Sequence, residues 1–229
     1  RVRIDDNILK NSAQYGIWNY GTFYGVVDNN TFLNNPYTIK NDTQSTAEWN
    51  YTEPQSLFQV GSNKYIYYED NTFTIPSYHG ESDSLAIEGQ FSCRYVIRYN
   101  TFTAQAAAYA FLEQHGHQGT GLTRMGSCFG AEIYGNSLTS SYHNTWFKTR
   151  GGQSFVFLNN INAGSADIVA YEGSTFSCPA SYENPELQII HDSYWFSNRR
   201  GLTGGLVTGY ANSQNNITCP GSLPYGPTF

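Results

Sequence analysis

The strongest constraint on this chain is a repeat. A short alternating apolar run closes on Asn, any residue, then an apolar residue: Ile4-Asp5-Asp6-Asn7-Ile8-Leu9, then Val27-Asp28-Asn29-Asn30-Thr31-Phe32. The pattern returns as Ile66-Tyr67-Tyr68-Glu69-Asp70-Asn71-Thr72-Phe73, Val96-Ile97-Arg98-Tyr99-Asn100-Thr101-Phe102 and Glu132-Ile133-Tyr134-Gly135-Asn136-Ser137-Leu138. Phe157-Leu158-Asn159-Asn160-Ile161 is a looser copy, and Ile189-Ile190-His191-Asp192-Ser193-Tyr194 reads as a degenerate seventh with Asp for Asn. A second motif, a short apolar strand ending on Gly, alternates with the first. Its copies are Gly16-Ile17-Trp18-Asn19-Tyr20-Gly21, Leu85-Ala86-Ile87-Glu88-Gly89, Phe111-Leu112-Glu113-Gln114-His115-Gly116, Trp146-Phe147-Lys148-Thr149-Arg150-Gly151 and Ile168-Val169-Ala170-Tyr171-Glu172-Gly173.

Two or three short strands recurring every 23 to 41 residues are what the coil of a wide parallel β-helix requires. The pattern predicts one all-β domain over residues 1–229: a single-stranded solenoid of six to seven irregular coils. A long loop insert is expected over residues 36–63, which include Trp49 and Pro54, and an irregular C-terminal cap over residues 174–229. Asn at a fixed place in each coil tolerates the left-handed bend between strands. Stacked Asn side chains can also hydrogen-bond from rung to rung. A propeller or antiparallel sandwich is the competing architecture, but the two-residue hairpin turns it favours are scarce here.

Composition agrees. The chain has 19 Tyr and 14 Phe, and charged residues make up only 13% of it, which suits strands and turns better than helices. A net charge of −6 with no basic run argues against nucleic acid as a partner. No apolar stretch approaches membrane-spanning length, so no membrane insertion is expected. The sequence opens on Arg1-Val2-Arg3-Ile4, already inside a strand-like alternation, and reads as a mature part or fragment of a longer chain. Self-association or a neighbouring domain would then cover the open end of the coil.

The pattern resembles the right-handed parallel β-helix superfamily of pectate-lyase-like proteins over nearly the whole chain. That resemblance implies a right-handed coil and, as an expectation, a polysaccharide ligand. The catalytic signatures of its best-known members are missing. His115-Gly116-His117 is superficially similar to the Gly-His-Gly of polygalacturonases, but Asn-Thr-Asp and Arg-Ile-Lys are missing, as is the Trp-Ile-Asp-His of pectate lyases, and the Asp-Asp pair that the chain does contain, Asp5-Asp6, is far from this segment. No catalytic residue carries over from the family.

The four cysteines have no C-x-x-C zinc spacing. Cys93 precedes Asn100 by seven residues and Cys128 precedes Asn136 by eight, so stacked coils would bring them within disulfide reach. The expected pairs are Cys93–Cys128 and Cys178–Cys219, which favour a secreted or cell-surface protein; four sequons are compatible with export but arise by chance in a chain this rich in Asn and Thr. Four buried free thiols are the alternative.

Aligned on its Gly, the second motif places Tyr20, Glu88, His115, Arg150 and Glu172 in one column, with Trp18, Ala86, Glu113, Lys148 and Ala170 two residues back on the same face. Glu88, Glu113, His115 and Arg150 are candidates for acid, base and charge stabiliser in polysaccharide cleavage by a lyase or hydrolase. Trp18, Tyr20, His117, Arg124, Trp146, Lys148, Tyr171 and Glu172 are candidates for binding sugar, although Trp146 and Tyr171 have the opposite strand parity. His115 and His117 lack a third metal ligand, so no metal centre and no cofactor is expected. Asp5, Asp6, Asp28, Glu69 and Asp70 can bind calcium or simply serve turns. Two functions remain open. One is a β-helix that binds, or binds and cleaves, an extended polysaccharide; the other is a structural or adhesive module whose charges pair from rung to rung.

Overall fold

In a computed structural model, residues 1–21, 23–42, 61, 63, 65–76, 85–90, 93–105, 110–114, 130–149, 153–171, 193–200, 205–206 and 209–212 are described. Among them every regular element is a β-strand. The strands recur in sets: β1 (Val2–Asp5), β2 (Ile8–Lys10) and β3 (Tyr15–Tyr20), then β4 (Gly25–Asp28), β5 (Thr31–Leu33) and β6 (Tyr37–Asp42). Next come β7 (Ile66–Glu69), β8 (Thr72–Ile75) and β9 (Leu85–Gln90), followed by β10 (Arg94–Arg98), β11 (Thr101–Ala104) and β12 (Leu112–Gln114). In the next two sets the second and third strands fuse: β13 (Gly130–Tyr134) leads into β14 (Ser137–Thr149), and β15 (Ser154–Phe157) into β16 (Asn160–Tyr171). The last set is β17 (Tyr194–Phe196), β18 (Arg199–Arg200), β19 (Gly205–Leu206) and β20 (Gly209–Asn212).

Like strands pair with like, which makes three stacks. The first is β1-β4-β7-β10-β13-β15-β17. The second runs from β2 through β5, β8 and β11 into the start of β14, and the third from β3 through β6, β9 and β12 into the end of β14. Pairing is parallel throughout except between β18 and β19. This arrangement is consistent with a parallel β solenoid.

The stacking turns period-two alternation into columns. Ile4, Val27, Tyr68, Ile97, Ile133, Val156 and Trp195 are in register along the first stack. Leu9, Phe32, Phe73, Phe102, Leu138 and Ile161 line the second, and Ile17, Ile39, Ile87, Leu112, Phe147 and Ile168 the third. These columns meet in one core. The rung spacing sets the ring packing inside it: Phe32, Phe73 and Phe102 stack nearly parallel, with centroids 4.8 and 4.7 Å apart. Burying each ring contributes roughly 1.5–3 kcal/mol.

The expected column of Asn7, Asn30, Asn71, Asn100 and Asn136 forms, and it continues through Asn159 and Asn198. Each backbone N–H and side-chain Nδ2 donates to the Oδ1 of the next Asn, at 2.8–3.3 Å. Two expectations need correction. The left-handed bend falls one residue before the ladder, at Asp6, Asn29, Asp70, Tyr99, Gly135, Leu158 and Ser197, whose φ values lie between 53° and 66°. The Asn itself is the rivet, with its Nδ2 also donating to carbonyls of its own and the preceding coil, as Asn100 does to Arg98 and Tyr68. The seventh copy is also not residues 189–194. Its strand is β17 and its ladder residue is Asn198, followed by Arg199 and Arg200 where earlier copies carry an apolar residue.

The stretch expected to bulge as a loop over residues 36–63 begins instead as β6, which is paired on both sides, to β3 and to β9. Gly25 opens β4 where only Gly fits: at φ +153° a Cβ would stand 1.8 Å from the Val2 carbonyl oxygen.

Candidate functional site

The third stack carries the candidate residues, in a register that differs from the alignment on Gly. Trp18 pairs with Lys40, Lys40 with Glu88, Glu88 with Glu113, and Glu113 with Lys148. Glu88 thus stands opposite Glu113 rather than His115, a slip of two residues that keeps the face but changes the neighbours. Beyond Lys148 the slip is one residue: Lys148 pairs with Val169, not Ala170. The cause is an irregularity between Thr145 and Phe147, where Trp146 is the extra residue of β14.

Since Ile39, Ile87, Leu112 and Phe147 face the core, alternation sends Lys40, Glu88, Glu113 and Lys148 to the outer side. Their charges run plus, minus, minus, plus. Lys40 Nζ lies 3.9 Å from Glu88 Oε2, and Lys148 Nζ 3.8 Å from Glu113 Oε1. Like charges on adjacent strands repel, and a lysine on each side neutralises the pair. A catalytic acid or base must be open to its substrate, but Glu113 is 1% exposed and Glu88 4% exposed. The column is therefore two buried ion pairs set end to end. Inside the coil, burial and then the charge of Glu113 hold the Tyr95 phenol well above its ordinary pKa, so it stays neutral.

At the β3 end the same face opens. Trp18 is 52% exposed and Tyr20 56% exposed, with their rings edge to face at 5.8 Å. Tyr15 extends the group, 5.2 Å from Trp18 and 5.4 Å from Tyr37, and Lys40 Nζ sits 5.5 Å over the Tyr15 ring. Below the rings, Asn19 donates to Asn41 Oδ1 at 2.9 Å and to Tyr68 Oη at 2.8 Å, and the Tyr68 hydroxyl donates to Asn41 Oδ1. This buried polar junction ties β3 and β6 to the core. Tyr37 and Lys40 are not among the sequence candidates, because β6 alternates without a closing Gly and escapes a motif keyed on that residue, and Tyr15 is missed because it precedes the motif copy that opens on Gly16.

Trp146 is corrected outright as a sugar contact. It is fully buried against Phe102 and Phe111, at 5.4 and 6.2 Å. Tyr171 lies at the end of β16. His115, His117, Arg124, Arg150 and Glu172 lie outside the described residues, as do Cys128, Cys178 and Cys219. Cys93 is buried and disulfide-bonded. Asn41 is buried in the junction, so the Asn41-Asp42-Thr43 sequon serves structure rather than presenting an open glycosylation site.

Of the acidic residues on the first stack, Asp6 and Asp70 occupy left-handed bends. Asp28 is bonded to Arg3 at 3.0 Å, and Glu69 to Arg98 at 2.5 Å. No group of three or more His, Cys, Asp or Glu among the described residues is placed to hold a metal ion. Arg98 also lies over the Tyr67 and Tyr99 rings and donates to Tyr134 Oη at 3.0 Å. Beside it, burial pushes the Glu132 carboxyl above its usual pKa, against the opposing pull of Arg98. Among the described residues no helix is long and apolar enough to cross a membrane.

Neither protein-family models, curated proteins nor solved structures give a match to this chain.

Proposed function

We propose that this chain is an extracellular right-handed parallel β-helix, of the pectate-lyase-like kind, that holds a polysaccharide on the rings of Tyr15, Trp18, Tyr20 and Tyr37. The observation that carries the reading is the exposure of Trp18 and Tyr20 by about half on a strand anchored through β6 to the core. Large rings left in water on a rigid strand favour a ligand with a flat apolar face and polar edges, and a pyranose has both. The disulfide at Cys93 supports an extracytoplasmic location.

Binding without turnover is the form the geometry favours. Glu88 and Glu113 are buried and each is neutralised by a lysine, whereas an acid–base pair for glycoside cleavage must reach the scissile bond. The same ion pairs favour the second reading, a structural or adhesive module in which the column only seals the coil. Native electrophoresis in gels containing polysaccharides separates the two. Retarded migration that is lost in W18A/Y20A, with no new reducing ends released, is the expected result. Unretarded migration in every polymer tested refutes glycan binding and leaves the structural module.

A further inference from the structure

We infer that the ring cluster on β3 and β6 takes a neutral glycan and rejects polyuronates; this rests on the glycan-binding reading above. A uronate chain carries one carboxylate per sugar, and a site for it must supply cations able to turn towards the ligand. Among the described residues, the cation recorded against these rings is Lys40, and its ammonium is committed twice. It lies 3.9 Å from Glu88 Oε2 and 5.5 Å above the Tyr15 ring. Only 16% of its side chain meets solvent. To reach a carboxylate on the rings, Lys40 would have to give up its ion pair with Glu88, whose side chain is only 5% exposed.

At the far end of the same column, Lys148 is committed in the same way to Glu113 at 3.8 Å. The long-range field points in the same direction. The chain carries 18 acidic residues against 12 basic ones and a net charge of −6, so a polyanion approaches against repulsion while a neutral polymer does not. What the face does offer is ring surface: Trp18 and Tyr20, edge to face at 5.8 Å and both about half exposed, against which the axial C–H groups of a neutral hexose can lie.

The test is titration calorimetry of the whole protein with hydroxyethylcellulose and glucomannan as neutral probes, and polygalacturonate and alginate as acidic ones. Each is run at low and at high salt, for the wild type and for W18A. The expected result is heat of binding with a neutral probe, unchanged by salt and reduced at least tenfold in affinity by W18A, with none from the acidic probes. Equal or tighter binding of polygalacturonate, sensitive to W18A, overturns the neutral class while leaving the glycan-binding reading intact. Neutral binding that W18A leaves unchanged overturns the assignment to these rings. The absence of heat from all four probes overturns the binding reading itself.

Discussion

Replacing Asn100 by Ala removes the middle of the ladder, and the structure gives a magnitude. The Asn100 Oδ1 accepts from the Asn71 N–H at 2.9 Å and from its Nδ2 at 3.0 Å. Its Nδ2 donates to the Tyr68 and Arg98 carbonyls at 2.8 and 2.9 Å and to Asn136 Oδ1 at 3.0 Å. A net hydrogen bond contributes about 1 kcal/mol, and a buried polar group left unpaired costs about 1–3 kcal/mol. Asn100 is 1% exposed, so water cannot readily take over, and N100A should cost about 3–5 kcal/mol. Asn7 ends the same ladder in solvent, where its Nδ2 bonds only Asp5 O and Asn30 Oδ1. N7A should therefore cost only about 0.5–1.5 kcal/mol. At this chain length, about 2–4 °C of melting temperature accompanies each kcal/mol, so N100A should melt on the order of 10 °C lower and N7A a few degrees lower. Thermal and urea denaturation followed by circular dichroism would measure both. If N100A melts within a degree or two of N7A, the Asn ladder does not hold the rungs in register, and core packing alone must do so.

Three further outcomes follow from other residues. K148M removes the ion pair of the buried Glu113 carboxylate and should cost about 3 kcal/mol, whereas K148M/E113Q should recover most of it in a double-mutant cycle by urea titration. Glu132 has a folded-state pKa above its unfolded value, so its ionised form destabilises the fold at neutral pH and the penalty fades as pH falls through that window. E132Q should accordingly raise the melting temperature near pH 7 and lose its advantage below the ordinary glutamate range; an equal gain at all pH values would refute this linkage. Leu158 holds a left-handed φ of 55° while 61% exposed, so L158N should stabilise by roughly 1 kcal/mol, and a drop in melting temperature would contradict the assignment of strain there.

The fold was legible because its signal is repeated: the alternation and the Asn recur in rung after rung, and one blurred copy does little harm. Asn198 was obscured because Arg199 and Arg200 follow it. Those two form a short strand, exposed at Arg199 and half-buried at Arg200. The bend position is not legible because Asn tolerates left-handed φ and also makes ladder bonds, and sequence does not say which property is used. The site was less legible because it depends on register. Glycine is a poor anchor for alignment in the third stack, where Gly89 pairs with Gln114. Lys40 also lay in a strand without that marker. Finally, strand parity shows that Glu88 and Glu113 point away from the core but not that they are covered.

The direction of the ligand follows from where the rings lie. A polymer running along the stacked strands would leave Trp18 and pass over the Lys40–Glu88–Glu113–Lys148 column, whose side chains are at most 16% exposed and offer little contact. Tyr15, Trp18 and Tyr20, by contrast, lie along a single strand, β3. Their ring centroids are 5.2 Å apart from Tyr15 to Trp18 and 5.8 Å apart from Trp18 to Tyr20, a platform with room for about two sugar units across the coil. Affinity for neutral oligosaccharides should therefore climb to about two or three units and then level off, because each added sugar beyond the rings meets no new partner. An ordered series of oligosaccharides measured by calorimetry would decide the matter. If affinity keeps rising through about eight units, the chain lies along the solenoid axis, and the ion-paired column must open to receive it.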